Sequence, residues 1–209
     1  MAKVFITGAT GYLGRPLVAH LLGRGHEVRA LVRPGQSTSC QWVEGNALDS
    51  SSFAANVRGY DTLVHLVGTP KPAPWKAKQF EAVDKKSLEA SLTAAQEANV
   101  WHLVFSSVAQ PSPVMRAYVS VRQECEARIR ASSVSATFLR PFYAPGESHW
   151  WPLALVPLYK MAEAVPGWRD SAIRVGLVRR QQMVNALAWA VENPPEGMRI
   201  MDVARIREF

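Results

Sequence analysis

Apolar and polar positions switch repeatedly between a short and a helical period along this chain. Val4, Phe5 and Ile6 form a brief apolar run of strand formers. Leu17, Val18, Leu21 and Leu22 then recur as one face of a helix that closes near Gly23 or Gly25. Glu27 to Val32 alternates and predicts a second strand, and Cys40 to Val43 a third. Thr62 to Val67 is almost wholly apolar, the pattern of a parallel strand buried on both faces. Between Thr69 and Trp75 three prolines predict a stiff surface loop. A long helical segment follows to about Ala98, with Phe80, Val83, Leu88, Leu92 and Ala95 near one face. Trp101 to Phe105 reads as a fifth strand, Val114 to Ala131 as a helix, and Thr137 to Leu139 as a sixth strand.

This alternation predicts an α/β fold, a doubly wound parallel sheet of Rossmann type with ligands across the carboxyl ends of its strands. Beyond Pro141 the character changes. Phe142, Tyr143, Trp150 and Trp151 surround a Pro145-Gly146 turn, and helices are predicted over Leu153 to Ala164 and Gln181 to Val191. Arg199 to Val203 reads as a last strand. One domain over residues 1–209 is expected, with residues 142–180 contributing most of a small substrate lobe. The aromatic cluster there either lines a pocket for a flat apolar molecule or forms the core of the lobe.

Composition narrows the partners. At 209 residues, 48% hydrophobic and 20% charged, the chain has enough for one good core and is short for two. The net charge of +7 favours anionic ligands, but the basic residues are scattered and not interleaved with aromatics. Nucleotide binding is therefore expected over nucleic-acid binding. No signal peptide is expected, because strand formers begin at once. The apolar stretch from Trp150 to Tyr159 is broken by Pro152 and Pro157 and is too short to span a bilayer. A cytoplasmic protein off the membrane is expected, with a small-molecule substrate and with room for a homodimer. Cys40 and Cys125 sit in no metal-ligand spacing, so no metal is expected, and both are read as reduced thiols.

The first candidate chemistry lies in Val4 to Gly14, VFITGATGYLG. A strand turns sharply into a helix through Gly8, Gly11 and Gly14. The unpaired N–H groups and positive dipole end of such a helix make a ready site for a pyrophosphate. Glycines allow the turn and the close approach. The adenosine ribose is expected about 20 residues further on, where Arg33 stands with no acid beside it. A guanidinium suits a 2′-phosphate, which points to NADP over NAD. Asn46 either meets an adenine edge or is a simple turn residue. Gly68 marks either a close pass by the cofactor or a turn, and His65 reads as a hydrogen-bonded core histidine.

The second lies at Ser106-Ser107, on a strand end, with Tyr118 and Arg122 on the next helix. The last two are four apart and share a face. A phenol needs a neighbouring cation before it works as a base near neutrality. Arg122 supplies one, unless Glu126, a further turn along, neutralises it. A serine hydroxyl would hold a carbonyl oxygen while hydride arrives from nicotinamide.

Taken in order, TGATGYLG at 7–14, LVR at 31–33, GNALD at 45–49, HLVG at 65–68, the serines at 106–107, YVSVR at 118–122 and LRP at 139–141 resemble an atypical short-chain dehydrogenase/reductase of the NmrA-like, NAD(P)H-binding branch. The resemblance implies that Gly8, Gly11, Gly14 and neighbouring amides cradle the pyrophosphate, and that Thr10, Tyr12 and Leu13 lie against the cofactor. It likewise implies Arg33 at the 2′-phosphate, Asn46, Ala47, Leu66 and Gly68 along the nucleoside, and Ser107 and Tyr118 in the catalytic positions. The family's Tyr-x-x-x-Lys is here Tyr118-x-x-x-Arg122, and the Asp of its Gly-Asp motif is Asn46. Arg122 can still bind ribose hydroxyls and polarise Tyr118, but cannot relay protons as a lysine does. Two functions follow: an NADP(H)-dependent oxidoreductase acting on a small carbonyl or quinone, or a non-catalytic NADP(H)-binding sensor or structural subunit. The short stretch after Pro141 argues against a large nucleotide-sugar substrate.

Overall fold

The computed structural model describes residues 1–112, 115–142 and 176–209. The helix expected over Leu153 to Ala164, and Tyr143, Trp150 and Trp151 with most of the 142–180 lobe, lie outside the described residues. Seven strands form one sheet: β1 (Lys3–Thr7), β2 (Glu27–Val32), β3 (Gln41–Glu44), β4 (Thr62–His65), β5 (His102–Ser106), β6 (Ser135–Leu139) and β7 (Met198–Met201). Their order is β3-β2-β1-β4-β5-β6-β7, every pair parallel. The chain winds outward from β1 through β2 to β3, then returns to place β4 on the other side of β1. That reversal opens a crevice between the carboxyl ends of β1 and β4, where such sheets take their ligands.

Around the sheet lie α1 (Gly14–Gly23), α2 (Ala54–Val57), α3 (Ala77–Gln79), α4 (Lys86–Glu97), α5 (Arg116–Arg130), α6 (Arg180–Glu192) and α7 (Val203–Arg207). Alternate strand residues feed two cores. Val4 and Ile6 pack with Leu17, Leu21, Leu187 and Ile206, beneath α1, α6 and α7. Phe5 faces the other way, with Phe53, Leu88, Phe105 and Ile129 under α2, α4 and α5. At ~25 cal/mol per Å² of apolar surface removed from water, these two clusters are the main driving force of the fold.

Several boundaries differ from the periodicity. β4 stops at His65, not Val67, because the following backbone bends into the crevice. The last strand is Met198–Met201, not Arg199–Val203: the Asp202 carboxylate accepts from Arg205 N at 3.0 Å and starts α7, which the alternation hid. Asp49 caps as expected, accepting from Ser51 N, though the turn it starts is a 3-10 turn (Ser50–Ser52). Between α3 and α4 the helix loosens into a π-stretch, Phe80–Lys85. Both cysteines are free thiols, and burial pushes Cys125 up to about 12.

Candidate functional site

Leaving β1, the chain takes a left-handed conformation at Gly8 (φ +82), where a Cβ would stand 2.8 Å from the Leu66 carbonyl carbon. Gly11 N donates to Gly8 O at 3.1 Å. A Cβ on Gly14 would strike the Gly8 carbonyl oxygen. The loop is thus folded tightly against both its own helix and the strand end beside it, and only glycine fits at the two ends of the turn. Leu13, at the N-cap of α1, places no side-chain acceptor over the helix end. Arg15 N already donates to Gly11 O at 3.2 Å and Pro16 has no N–H, so what this terminus turns toward the crevice is chiefly the positive dipole end of α1.

That crevice is a cavity of about 380 Å³ reaching from Gly8, Gly11, Tyr12, Leu13 and Gly14, past Leu66 and Gly68, to Ser106, Ser107, Tyr118 and Arg122. It brings together both stretches that the sequence singled out, 100 residues apart in sequence. The residues present fit a dinucleotide: a positive helix terminus without a capping side chain, and a tightly folded glycine loop that lines the cavity beside it.

The other expected cofactor residues lie beyond this lining. Arg33 is exposed at the carboxyl end of β2. Thr10 Oγ1 donates to Gln36 Oε1 at 3.1 Å, which ties the glycine loop to the turn after Arg33. Asn46 Oδ1 accepts from Leu48 N at 3.0 Å, an Asx turn, so its carbonyl is engaged in the turn rather than presented to a base. Ala47 packs partly buried on the second core.

At the inner end, Arg122 is 5% exposed and its charge is already matched. Nη2 donates to Asp84 Oδ1 at 2.6 Å and Nη1 to the Ser106 carbonyl at 2.9 Å. Its guanidinium carbon lies 5.1 Å from the Tyr118 ring centroid and 5.3 Å from that of Phe105. Nε is buried without a hydrogen-bond partner. Glu126, weighed above as the counter-ion of Arg122, is not; Asp84 is. Asp84 is fully buried in the π-stretch, and its other oxygen accepts from Thr69 N at 2.9 Å and Thr69 Oγ1 at 2.6 Å. The carboxylate therefore joins the loop after Gly68 to helix α5.

Asp84 was missed in the sequence, yet a signal was there. It stands four residues after Phe80 and four before Leu88, on the apolar stripe of the helix, and a carboxylate on a buried stripe demands a buried partner. Tyr118 packs edge-on to Phe80, with centroids 5.0 Å apart. Burial pushes its phenol above the ordinary range. Arg122 pulls the other way, and Asp84 adds to the rise. The cation proposed to ease ionisation is outweighed.

Ser107 lies 4% exposed and gives its hydroxyl proton to Glu126 Oε1 at 2.6 Å. Glu126 also accepts from Gln110, Arg130 and Arg140. Burial would raise its carboxyl, but the bonds from Arg140, Ser107 and Arg130 hold it below the usual range. As an ionised carboxylate it has no proton to share, so the hydrogen between the pair belongs to serine. His65 is the satisfied core histidine expected: Nδ1 lies 2.9 Å from both Thr7 Oγ1 and Ser91 Oγ. Burial, with Arg122 assisting, pushes it down to about 3, and it stays neutral.

A second cleft, of about 530 Å³, opens at the opposite, amino ends of the strands, between Arg24, His26, Asp61, Trp101 and Glu192. It is the larger, but none of the glycine loop or the Tyr118–Arg122 face reaches it. Its charges pair among themselves through Arg24–Glu192 at 2.6 Å and His26–Glu192 at 3.0 Å. Among the described residues no helix is long and apolar enough to cross a membrane.

A family model described as NAD(P)H-binding matches residues 8–146. The chain is similar to a ceramide reductase of Caulobacter vibrioides, 27% identical, over 97% of this chain and 65% of that protein. It is also similar to a putative dihydroflavonol 4-reductase of Synechocystis, 32% identical, over 49% of this chain and 32% of that protein. This chain thus spans less than two thirds of either relative. Among solved structures, the enzyme WbmH of Bordetella bronchiseptica in complex with NAD+ superposes with a TM-score of 0.70 at 19% identity, covering 97% of this chain and 75% of that one. A short-chain dehydrogenase/reductase superfamily protein of Agrobacterium tumefaciens with bound NAD gives 0.68 at 19% identity, covering 98% and 80%. At these identities the likenesses show the fold.

Proposed function

Because this chain belongs to the NAD(P)H-binding family, with a short-chain dehydrogenase/reductase fold, we propose that it binds NADP(H) and reduces a small carbonyl or quinone compound. The observation that carries this is the single cavity in which the α1 terminus and glycine loop meet Tyr118. On this reading Gly8, Gly11, Gly14 and the amides of Tyr12 and Leu13 hold the pyrophosphate. Leu66 and Gly68 floor the nicotinamide half, and Arg33, at the end of β2, takes the 2′-phosphate. Thr10, Asn46 and Ala47 shape the adenosine end from behind. The bound cofactor supplies the hydride.

Tyr118 gives the proton. A phenol held above its ordinary range is fully protonated near neutrality, the form that donates to an oxygen receiving negative charge. Arg122 cannot relay protons, and its buried Nε–H is left to bond an oxygen of the ligand or a water. Ser107, its proton committed to Glu126, buttresses the base of α5 and is not counted as a donor to substrate. The NmrA-like branch, and a substrate smaller than a nucleotide sugar, are part of the same proposal. The ceramide reductase and the putative dihydroflavonol 4-reductase are both named as reductases, which supports the reaction class.

One observation favours the second reading, a non-catalytic NADP(H) sensor or subunit: both polar side chains flanking Tyr118 are spent on internal carboxylates. An NADPH-oxidation screen over aldehydes, ketones and quinones decides between them. Turnover that falls at least a hundredfold in Tyr118→Phe is expected. Tight NADPH binding with no turnover would establish the sensor, and unchanged turnover in Tyr118→Phe would remove Tyr118 from the reaction.

A further inference from the structure

Resting on the reading of Tyr118 as the proton donor, we propose that Asp84 is a positioning residue that keeps Tyr118 in its proton-bearing form, by spending part of the Arg122 charge that a phenolate on Tyr118 would need. The geometry is specific. Asp84 reaches Arg122 at 2.6 Å from a buried π-stretch, and the register of that stretch puts the carboxylate beneath Gly68. Its second oxygen is saturated by Thr69 N and Oγ1, so it cannot swing away. Arg122 Nη1 is fixed to the Ser106 carbonyl. The guanidinium carbon is thus held 5.1 Å from the Tyr118 ring centroid, with its charge paired to Asp84.

Facing Tyr118 from the described elements are Arg122 and the neutral Cys125 thiol on its own helix, Asp84 from the π-stretch, and the apolar Phe80 ring. His65, on β4 beyond Arg122, carries no charge near neutrality. Arg122 pulls the phenol down, Asp84 offsets part of that pull, and burial then decides for the neutral form.

The consequence falls on the pH range of the reaction. In reduction, hydride from NADPH adds to the carbonyl carbon as the C=O π bond breaks. The Tyr118 O–H proton goes to the oxygen, and NADP+ and an alcohol result. The transient phenolate is reprotonated by water. In oxidation the same phenolate is the base, so Asp84 sets the pH at which that base becomes populated, while the net direction is left to the equilibrium between carbonyl and alcohol.

Difference titration of tyrosinate absorbance, wild type against Tyr118→Phe, reads the Tyr118 midpoint directly and needs no turnover. A wild-type midpoint above the ordinary phenol value of about 10 is expected. In Asp84→Asn it should fall by about one pH unit or more, as the uncompensated Arg122 acts on the phenol. The pH at which alcohol oxidation sets in should fall in that variant together with the midpoint. A wild-type midpoint at or below the ordinary value would overturn the proposal, as would a folded Asp84→Asn with an unchanged midpoint. If Asp84→Asn does not fold, the wild-type titration alone decides. NADPH affinity is measured on the same samples. Its absence would refute the cofactor reading without touching the titration.

Discussion

A methyl group on Gly68 would stand 2.5 Å from Nη2 of Arg122. The absent Cβ is therefore explained by a guanidinium of the chain itself, not by a cofactor or a turn. An arginine could usually retreat, but this one is pinned by Asp84 and by the Ser106 carbonyl. Gly68→Ala is expected to cost about 1–3 kcal/mol, the scale of overpacking a filled interior. In an Arg122→Ala background the same change should cost less by about 1 kcal/mol, since only Asp84 Oδ1, 3.0 Å from that Cβ, is then left in the way. Urea unfolding of the four proteins in this cycle checks it.

Arg33→Ala should weaken NADPH at least tenfold and NADH less than twofold, because only the former carries the 2′-phosphate. Calorimetric titration with both coenzymes gives the two ratios. Equal losses would place Arg33 elsewhere on the ligand.

Glu126 and Ser107 separate a supporting role from a chemical one. Removing the carboxylate in Glu126→Ala leaves the partly buried Arg140 without its counter-ion and Ser107 without its acceptor, and about 2–3 kcal/mol of stability should be lost. Ser107→Ala removes one hydrogen bond to that carboxylate and should cost about 1–2 kcal/mol. Its kcat should drop less than tenfold, because the serine proton is directed at Glu126 and not into the cavity. Thermal unfolding and steady-state kinetics on the two variants test both halves.

His65 and His102 are pushed down, chiefly by burial, to about 3 and about 4. Unfolded, each titrates near 6.5, so between these values and 6.5 the unfolded chain binds the additional protons. Stability therefore rises with pH across that window and is lost as the pH falls from 6.5 toward 4. Each histidine contributes a slope of about 1.4 kcal/mol per pH unit in its window. Urea melts between pH 4.5 and 6 should show a shallower dependence, by about that amount, in His65→Gln than in the wild type.

The fold was legible where burial and period coincide. Thr62–His65 is buried at every position, and Glu27–Val32 alternates, so both strands stood out. What escaped depended on spacing that the sequence does not display. The π-stretch at Phe80–Lys85 shifts the register of one turn, so no regular helical wheel puts Asp84 beneath Gly68. α7 is only five residues long, and its Asp202 cap read as the continuation of a strand. In the site, residue types were readable but not their partners. Arg122 and Glu126 are four apart on α5, and that spacing suggested a pair. Tertiary contacts supplied closer ones, Asp84 for the first and Arg140 for the second.

The floor beneath the glycine loop has an assembly consequence. Leu17, Val18 and Leu21 of α1 are covered by Met183, Val184, Leu187 and Ile206, and Arg24 is clasped by Glu192 across 168 positions of sequence. A ribosome-bound chain that has released only its first two thirds would leave that helix with one side bare to water. The glycine turn after β1, synthesised well before α6 and α7, should be among the last parts to become rigid, and a coenzyme added to stalled nascent chains should grip only after the residues of α6 and α7 have emerged.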